Sequence, residues 1–178
     1  FLDPFGMIAA SALPDAVKVS LILELSDASG SRGMVAGQVL DMEGEHKQLT
    51  LAELQTIHAN KTGRLLAYPF IAAGLILELQ ADIGQLLEKI GKKLGLAFQV
   101  RDDILDLVAD FEALGKTPQK DLVAEKSTYP ALLGLEESKA LLTSELDACE
   151  DLLDQITAAC DFDPRAIKKL IEGLRIDG

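Results

Sequence analysis

The sequence is poor in aromatic residues, has no tryptophan and contains only two cysteines. Its 178 residues are 48% hydrophobic but only 4% aromatic, and this length is sufficient for one well-buried domain. Cys149 and Cys160 have no CxxC spacing and no neighbouring histidine, so the pattern predicts neither a zinc site nor a redox motif. We expect two reduced core thiols, as is typical of a cytoplasmic protein.

Basic residues are also scarce. Lysine and arginine number 17 against 29 aspartates and glutamates, which gives a formal net charge of -12. Such an acidic chain argues against nucleic acid as a partner, because phosphate backbones attract basic surfaces. No run reaches the roughly 18 uninterrupted apolar residues of a membrane span, and no signal peptide is recognisable at the start. We therefore expect a soluble protein without a membrane span.

The chain starts with Phe1, and its first residues resemble the middle of a helical element rather than a natural beginning. We therefore expect that N-terminal helices are missing from this sequence.

Strand signals are nearly absent, whereas helical periodicity recurs along the whole sequence. The capping box Thr50-Leu51-Ala52-Glu53 predicts a helix start, and Pro69 is expected to kink or end that helix. The other predicted elements are helices over residues 15–41, 83–108 and 141–156, a polar loop over residues 115–126, and a last helix with Asp163 as its cap and Pro164 at its first position. We expect one all-α domain over residues 1–178, built as a bundle of long helices.

Small residues recur at intervals of three to four along the first of these helices. They are Ser26, Gly30, Gly33 and Gly37. A stripe of this kind permits close approach by another helix or by a ligand, and close helix packing is the interpretation that we favour.

Three aspartates interrupt an otherwise apolar helical stretch. At about 100° per residue, Asp102, Asp103 and Asp106 share a polar arc with Gln99. The opposite arc carries Val100, Ile104, Leu107 and Val108 and is expected to pack. Oxygen ligands without histidine or cysteine suit Mg²⁺, which binds through one or two carboxylates together with substrate phosphate. The alternative is an amphipathic helix with a solvated acidic face.

Further polar groups lie on other elements, where core helices favour apolar residues. Lysines on separate elements, together with an aspartate cluster, suit a diphosphate, because Mg²⁺ bridges carboxylates to phosphate oxygens and ammonium groups balance the remaining charge. Each lysine by itself is more often a solvated surface residue. The groups are Gln38 and Asp41, Lys61-Thr62-Gly63, Lys116 with Lys120 and Asp121, and Lys126-Ser127-Thr128.

The two histidines offer no additional metal site. His46 is predicted in a polar loop and His58 on a helix, and neither has a partner histidine at metal-binding spacing. We interpret both as structural or solvated residues.

Four ordered segments that contain these groups resemble one family. They are residues 33–41, 58–63, 95–106 and 114–134, which resemble the C-terminal half of the trans-isoprenyl diphosphate synthases, and most closely the bacterial farnesyl diphosphate synthases, or geranyltranstransferases. The resemblance covers essentially the whole chain. It implies an isoprenoid synthase fold, in which long and mostly antiparallel helices surround a central cavity.

The resemblance also implies roles for individual residues. Asp102, Asp103 and Asp106 match the second aspartate-rich motif, which helps to hold Mg²⁺ bound to the allylic diphosphate. The residues implied to bind substrate are Lys61 and Lys126 at the diphosphate, Lys116 in a loop that closes over it, Thr62 and Gln99 near the allylic carbocation, and Gln38 on the cavity wall, with Asp41 as a weaker candidate. Phe98 matches a family aromatic, although core packing explains it equally well.

The implied activity is a prenyl transfer. Mg²⁺ and lysines stabilise diphosphate as it leaves dimethylallyl or geranyl diphosphate, isopentenyl diphosphate attacks the resulting cation, and loss of a proton yields farnesyl diphosphate. A water-free apolar cavity protects the cation. A homodimer is expected from the family resemblance, whereas product chain length cannot be inferred from these residues.

One departure from the family limits this interpretation. The first aspartate-rich motif does not occur between Phe1 and Gly178, so we expect these residues alone to be inactive in condensation. Two alternatives remain open: a non-catalytic subunit or fragment that associates with another prenyltransferase chain, and a plain acidic helical bundle.

Overall fold

The computed structural model describes residues 2–114 and 127–176, and only the backbone of residues 110–114. Within these ranges every regular element is helical, which confirms the all-α prediction. None of the described helices has the length and apolarity needed to cross a membrane. The helices are α1 (Asp3–Ala10), α2 (Asp15–Ser29), α3 (Met34–Gly44), α4 (Leu51–His58), a π-helical turn (Ala59–Gly63), α5 (Arg64–Ile76), α6 (Ala81–Leu114), α7 (Tyr129–Leu133), α8 (Leu135–Ala159) and α9 (Arg165–Leu174).

Helix α6 is the central element and packs most extensively against α8 and α5. Its buried side chains recur at helical spacing, so that one stripe faces the core while the aspartates occupy another. The fully buried residues of the α6–α8 contact include Ile90, Val100, Ile104, Leu146, Cys149, Leu153 and Ile156. The amphipathic pattern predicted for residues 141–156 is therefore confirmed.

The predicted continuous helix over residues 15–41 is wrong, because the chain turns between α2 and α3. Gly30 leaves the helix in an extended conformation after its N–H has donated to the Ser26 carbonyl at 2.8 Å. A Cβ on Gly33 would lie 2.2 Å from the Ala28 carbonyl oxygen. Only glycine permits this tight corner, which the periodicity of apolar residues did not indicate.

The start of α4 agrees with the sequence. The Thr50 hydroxyl accepts a hydrogen bond from the Glu53 N–H at 3.3 Å, and the Glu53 carboxylate accepts one from the Thr50 N–H at 2.8 Å. This reciprocal pair is the predicted capping box. Pro69 lies inside α5 and does not end it.

Other helix ends differ from the predictions by a few residues. Helix α6 is longer than the predicted 83–108 segment, and Pro164 occupies the cap of α9 rather than its first position. The Asp163 carboxylate nevertheless accepts a hydrogen bond from the Arg165 N–H at 3.1 Å. Both cysteines are free thiols: Cys149 is buried and Cys160 is partly buried. The predicted 115–126 loop lies outside the described residues.

Candidate functional site

Lys61 and Thr62 lie in the π-helical turn that joins α4 to α5. A π-helical turn inserts an extra residue into helical geometry and is frequent at functional sites. The turn contacts α3 on one side and α6 on the other. Because of this position, the Lys61–Thr62 group of the turn lies between the Gln38–Asp41 group of α3 and the helix that carries the aspartates.

The contact between α3 and the turn depends on Gly37. A Cβ at this residue would lie 2.2 Å from the Lys61 backbone nitrogen, so the two backbones are in direct contact. One helical turn further along α3, the Asp41 carboxylate forms an ion pair with the Lys61 ammonium group. Of the predicted small-residue stripe, Gly37 is thus a point of close packing, and it places an acidic residue beside Lys61, whereas Gly30 and Gly33 form the corner between α2 and α3.

The contact between the turn and α6 also depends on glycine. A Cβ on Gly95 would lie 2.8 Å from the Gly63 Cα. Beyond this crossing the Thr62 hydroxyl donates a hydrogen bond to the Gln99 side-chain oxygen at 3.3 Å. The two residues that the family resemblance assigns to the carbocation therefore touch each other, although they are 37 positions apart in the sequence.

The three aspartates of α6 have different environments. Asp102 and Asp106 are exposed, whereas Asp103 is half-buried and accepts a hydrogen bond from the Tyr129 N–H at 2.9 Å. On the opposite side Val100 and Ile104 are fully buried, whereas Val108 is exposed. The predicted packed face is therefore confirmed at Val100 and Ile104 but not at Val108.

A metal ion would need more than the described carboxylates. Among residues 2–109 and 127–176, no three histidine, cysteine, aspartate or glutamate side chains are grouped closely enough to hold a metal. Asp102 and Asp106 are exposed residues. The donor set fits Mg²⁺ in its chemistry, because all of its atoms are carboxylate oxygens and Mg²⁺ keeps several waters or phosphate oxygens as further ligands.

The remaining predicted ligands are not all part of this arrangement. Gln38 follows Gly37 on α3 and is exposed, and Phe98 is 40% exposed, which excludes full burial of its ring in the core. Lys116 and Lys126, together with Lys120 and Asp121, lie outside the described residues.

The segment that follows residue 126 is held against the loop before α4. The Ser127 hydroxyl accepts a hydrogen bond from the Leu49 N–H at 3.0 Å. Thr128 caps α7 by accepting one from the Ala131 N–H at 3.3 Å. These contacts fix the peptide of Tyr129 where it meets Asp103.

Two further residues at this site have no ligand role predicted from the sequence. His58, the last residue of α4, packs on the Tyr129 ring with a centroid distance of 5.5 Å. Burial lowers the pKa of His58, while the nearby Asp41 and Asp102 oppose that shift. Burial raises the pKa of the Tyr129 hydroxyl, and Asp103 adds to this effect. Their place in the segments that resemble the family is the only signal in the sequence.

A cavity of about 450 Å³ lies between α2, α5 and α6. Its lining includes Glu24, Tyr68 and Lys92, but none of the predicted ligands within the described residues. Gly63 of the turn also lines the cavity, and the part of α6 that lines it lies N-terminal to the aspartates.

Comparisons with known sequences and structures identify relatives of this chain. Residues 6–160 match the family described as Polyprenyl synthetase. The farnesyl diphosphate synthase of Micrococcus luteus is 46% identical over 170 residues, which are 96% of this chain and 58% of that protein. The farnesyl diphosphate synthase of Escherichia coli is 39% identical over 176 residues, which are 94% of this chain and 57% of that protein.

A solved structure has the same fold. The Helicobacter pylori geranyltransferase, crystallised with magnesium and isoprenyl diphosphate, superposes with a TM-score of 0.74 at 30% identity over 96% of this chain and 55% of that one. The chain thus spans little more than half the length of these relatives. From its extended match to the family, and from the helical fold that it shares with this solved structure, the chain belongs to the polyprenyl synthetase family.

Proposed function

We propose that this chain forms the C-terminal part of a farnesyl diphosphate synthase, a prenyltransferase that joins isopentenyl diphosphate to dimethylallyl or geranyl diphosphate. The observation that carries the proposal is the convergence of the Lys61–Thr62 turn on α6, where Thr62 contacts Gln99 within one helical turn of Asp102. The names of the relatives from Micrococcus luteus and Escherichia coli support the same activity.

Asp102, Asp103 and Asp106 are the residues that would hold Mg²⁺. When bound, Mg²⁺ neutralises charge on diphosphate oxygens and so stabilises diphosphate as a leaving group. The Helicobacter pylori geranyltransferase supports this choice, because it was crystallised in complex with magnesium and isoprenyl diphosphate. The Asp103 carboxylate also accepts a hydrogen bond from the Tyr129 N–H.

Lys61 supplies positive charge on the other side of the same site. Its ammonium group pairs with Asp41, and its side chain is about one-third exposed, so an incoming diphosphate can contact it without unfolding of the turn. A lysine is suited to this exchange, because its flexible stem carries a point charge with three donors. Lys116 and Lys126 are proposed to add to this charge.

Thr62 and Gln99 are proposed to face the allylic cation. Their side-chain oxygens can stabilise positive charge without acting as nucleophiles. Gln38 and Phe98 are proposed to contact the substrate from α3 and α6. Isopentenyl diphosphate then attacks the cation and loses a proton to give the new double bond. We further propose a homodimer, as the family resemblance implies, and a cytoplasmic location, as two reduced thiols suggest.

Binding and condensation can be tested separately. A calorimetric titration of residues 1–178 with inorganic diphosphate should show binding that requires Mg²⁺. Condensation of radiolabelled isopentenyl diphosphate with geranyl diphosphate is expected only from a protein that also carries the first aspartate-rich motif. If the longer protein binds diphosphate tightly with Mg²⁺ but does not catalyse condensation, the result would favour a non-catalytic subunit. If no diphosphate binds at all, the result would favour a plain acidic bundle.

A further inference from the structure

His58 and Tyr129 each bury a polar atom that has no hydrogen-bond partner among the residues that the structure describes. These atoms are His58 Nδ1 and the Tyr129 hydroxyl. Buried polar atoms in native proteins almost always have a partner in protein or water, because an unsatisfied group costs about 1–3 kcal/mol. Two such atoms on rings in direct contact therefore point to a shared third group.

The two rings connect the halves of the candidate site. Tyr129 is fully buried, and its backbone N–H holds the Asp103 carboxylate. His58 ends α4 and directly precedes the turn that carries Lys61. The contact between the rings, with centroids 5.5 Å apart, joins the carboxylate helix to the lysine turn through side chains that need not touch substrate.

We propose that His58 and Tyr129 are positioning residues for the diphosphate site, joined by one buried water that both His58 Nδ1 and the Tyr129 hydroxyl contact. Water suits this place because it donates and accepts, and so satisfies a hydroxyl and either form of the imidazole nitrogen. The His58–Tyr129 pair holds the Tyr129 peptide against Asp103. It also holds the end of α4, which directly precedes the turn that carries Lys61. The positioning role rests on the proposed function, because it concerns diphosphate binding. The shared water does not depend on that function.

A double-mutant cycle tests the water independently of function. In the full chain, Tyr129→Phe and His58→Leu should each lower the urea midpoint of unfolding, and the double variant should lower it little beyond the larger single effect. His58→Asn keeps a polar atom near the Nδ1 position and should restore most of the loss. Additive shifts, or a Tyr129→Phe variant as stable as the original chain, would overturn the shared water.

Calorimetry with inorganic diphosphate and Mg²⁺ tests the positioning role. We expect Tyr129→Phe and His58→Leu to weaken binding at least fivefold (~1 kcal/mol), and His58→Asn to restore it. The matched control is Tyr68→Phe, which removes a hydroxyl that donates to the Leu21 carbonyl at 3.2 Å and should change the affinity less than twofold. Equal affinities for Tyr129→Phe and Tyr68→Phe would reject the role. If the original chain does not bind diphosphate, the proposed function is wrong. The urea double-mutant cycle still shows whether His58 and Tyr129 share a buried water.

Discussion

The Lys61 ammonium group and the Asp41 carboxylate form an ion pair across the contact between α3 and the π-helical turn. Gly37 makes this pair possible, because it brings the α3 backbone against the Lys61 nitrogen. A cation that the family resemblance assigns to diphosphate is therefore balanced by an anion of the protein itself. Binding of a diphosphate at Lys61 must compete with Asp41.

Removal of that anion should strengthen diphosphate binding. Partly exposed ion pairs contribute about 0.2–1 kcal/mol, so Asp41→Asn should tighten binding of inorganic diphosphate by up to about fivefold in calorimetry. The control is Glu88→Gln, which breaks the 2.5 Å pair with Lys92 on α6 and should leave the affinity unchanged. A weaker affinity in Asp41→Asn would mean that Asp41 positions Lys61 rather than competing for it.

A methyl group at Gly37 should disrupt the site and the fold together. Gly37→Ala places its Cβ against backbone atoms of Lys61, which cannot move as a side chain can. We expect a loss of about 1–3 kcal/mol in the free energy of unfolding and weaker diphosphate binding. In contrast, Gly84→Ala meets nothing within 4 Å in α6 and should be neutral or stabilising by up to about 1 kcal/mol. Similar denaturation curves for the two variants would contradict the close approach.

Loss of one aspartate should weaken the Mg²⁺-dependent binding of diphosphate. Asp102 is exposed, so Asp102→Ala should leave the melting temperature near its original value. The affinity for Mg²⁺ and diphosphate should fall at least about tenfold, since even partners of metal ligands affect affinity by about 10- to 100-fold. Asp151→Ala, an exposed aspartate of α8, is the matched control. In a longer protein with the first motif, turnover should drop by orders of magnitude, and near-normal turnover would exclude Asp102 as a ligand.

The buried thiol of Cys149 should affect stability at alkaline pH. Burial raises the pKa of Cys149 from 9.0 to about 12. Between these values the unfolded state binds fewer protons than the folded state, so the free energy of unfolding falls as pH rises above about 9. Urea titrations at pH 8 and 10 should show a smaller decrease for Cys149→Ala than for the original chain. Equal pH dependence of the two proteins would exclude this contribution.

The same burial predicts thiol reactivity. The thiolate is the reactive form, so Cys149 should react with a thiol reagent such as DTNB only on unfolding, whereas the partly buried Cys160 should react first. Rapid modification of Cys149 in the folded chain would contradict its buried position.

Local sequence features predicted the start of α4 and the two faces of α6. The Thr50 capping box uses groups three residues apart, and the burial of Val100 and Ile104 opposite the aspartates follows from helical periodicity. The break between α2 and α3 was missed, because a run of glycines is compatible both with a helix that packs closely and with a corner. The sequence also could not decide whether Phe98 packs in the core or lies at the site, and its 40% exposure argues against full burial.

The helical class, the carboxylate face of α6 and the family resemblance could be read from the residues, because they depend on periodicity and short motifs within single elements. Three contacts became known from the packed helices: Asp41 pairs with Lys61, Thr62 donates to Gln99, and the Tyr129 N–H donates to Asp103. Those contacts depend on how closely separate helices approach, and that distance is set by glycine crossings such as Gly37 on Lys61. The spacing of small residues along one helix predicts a close approach but does not identify the residues that it brings together.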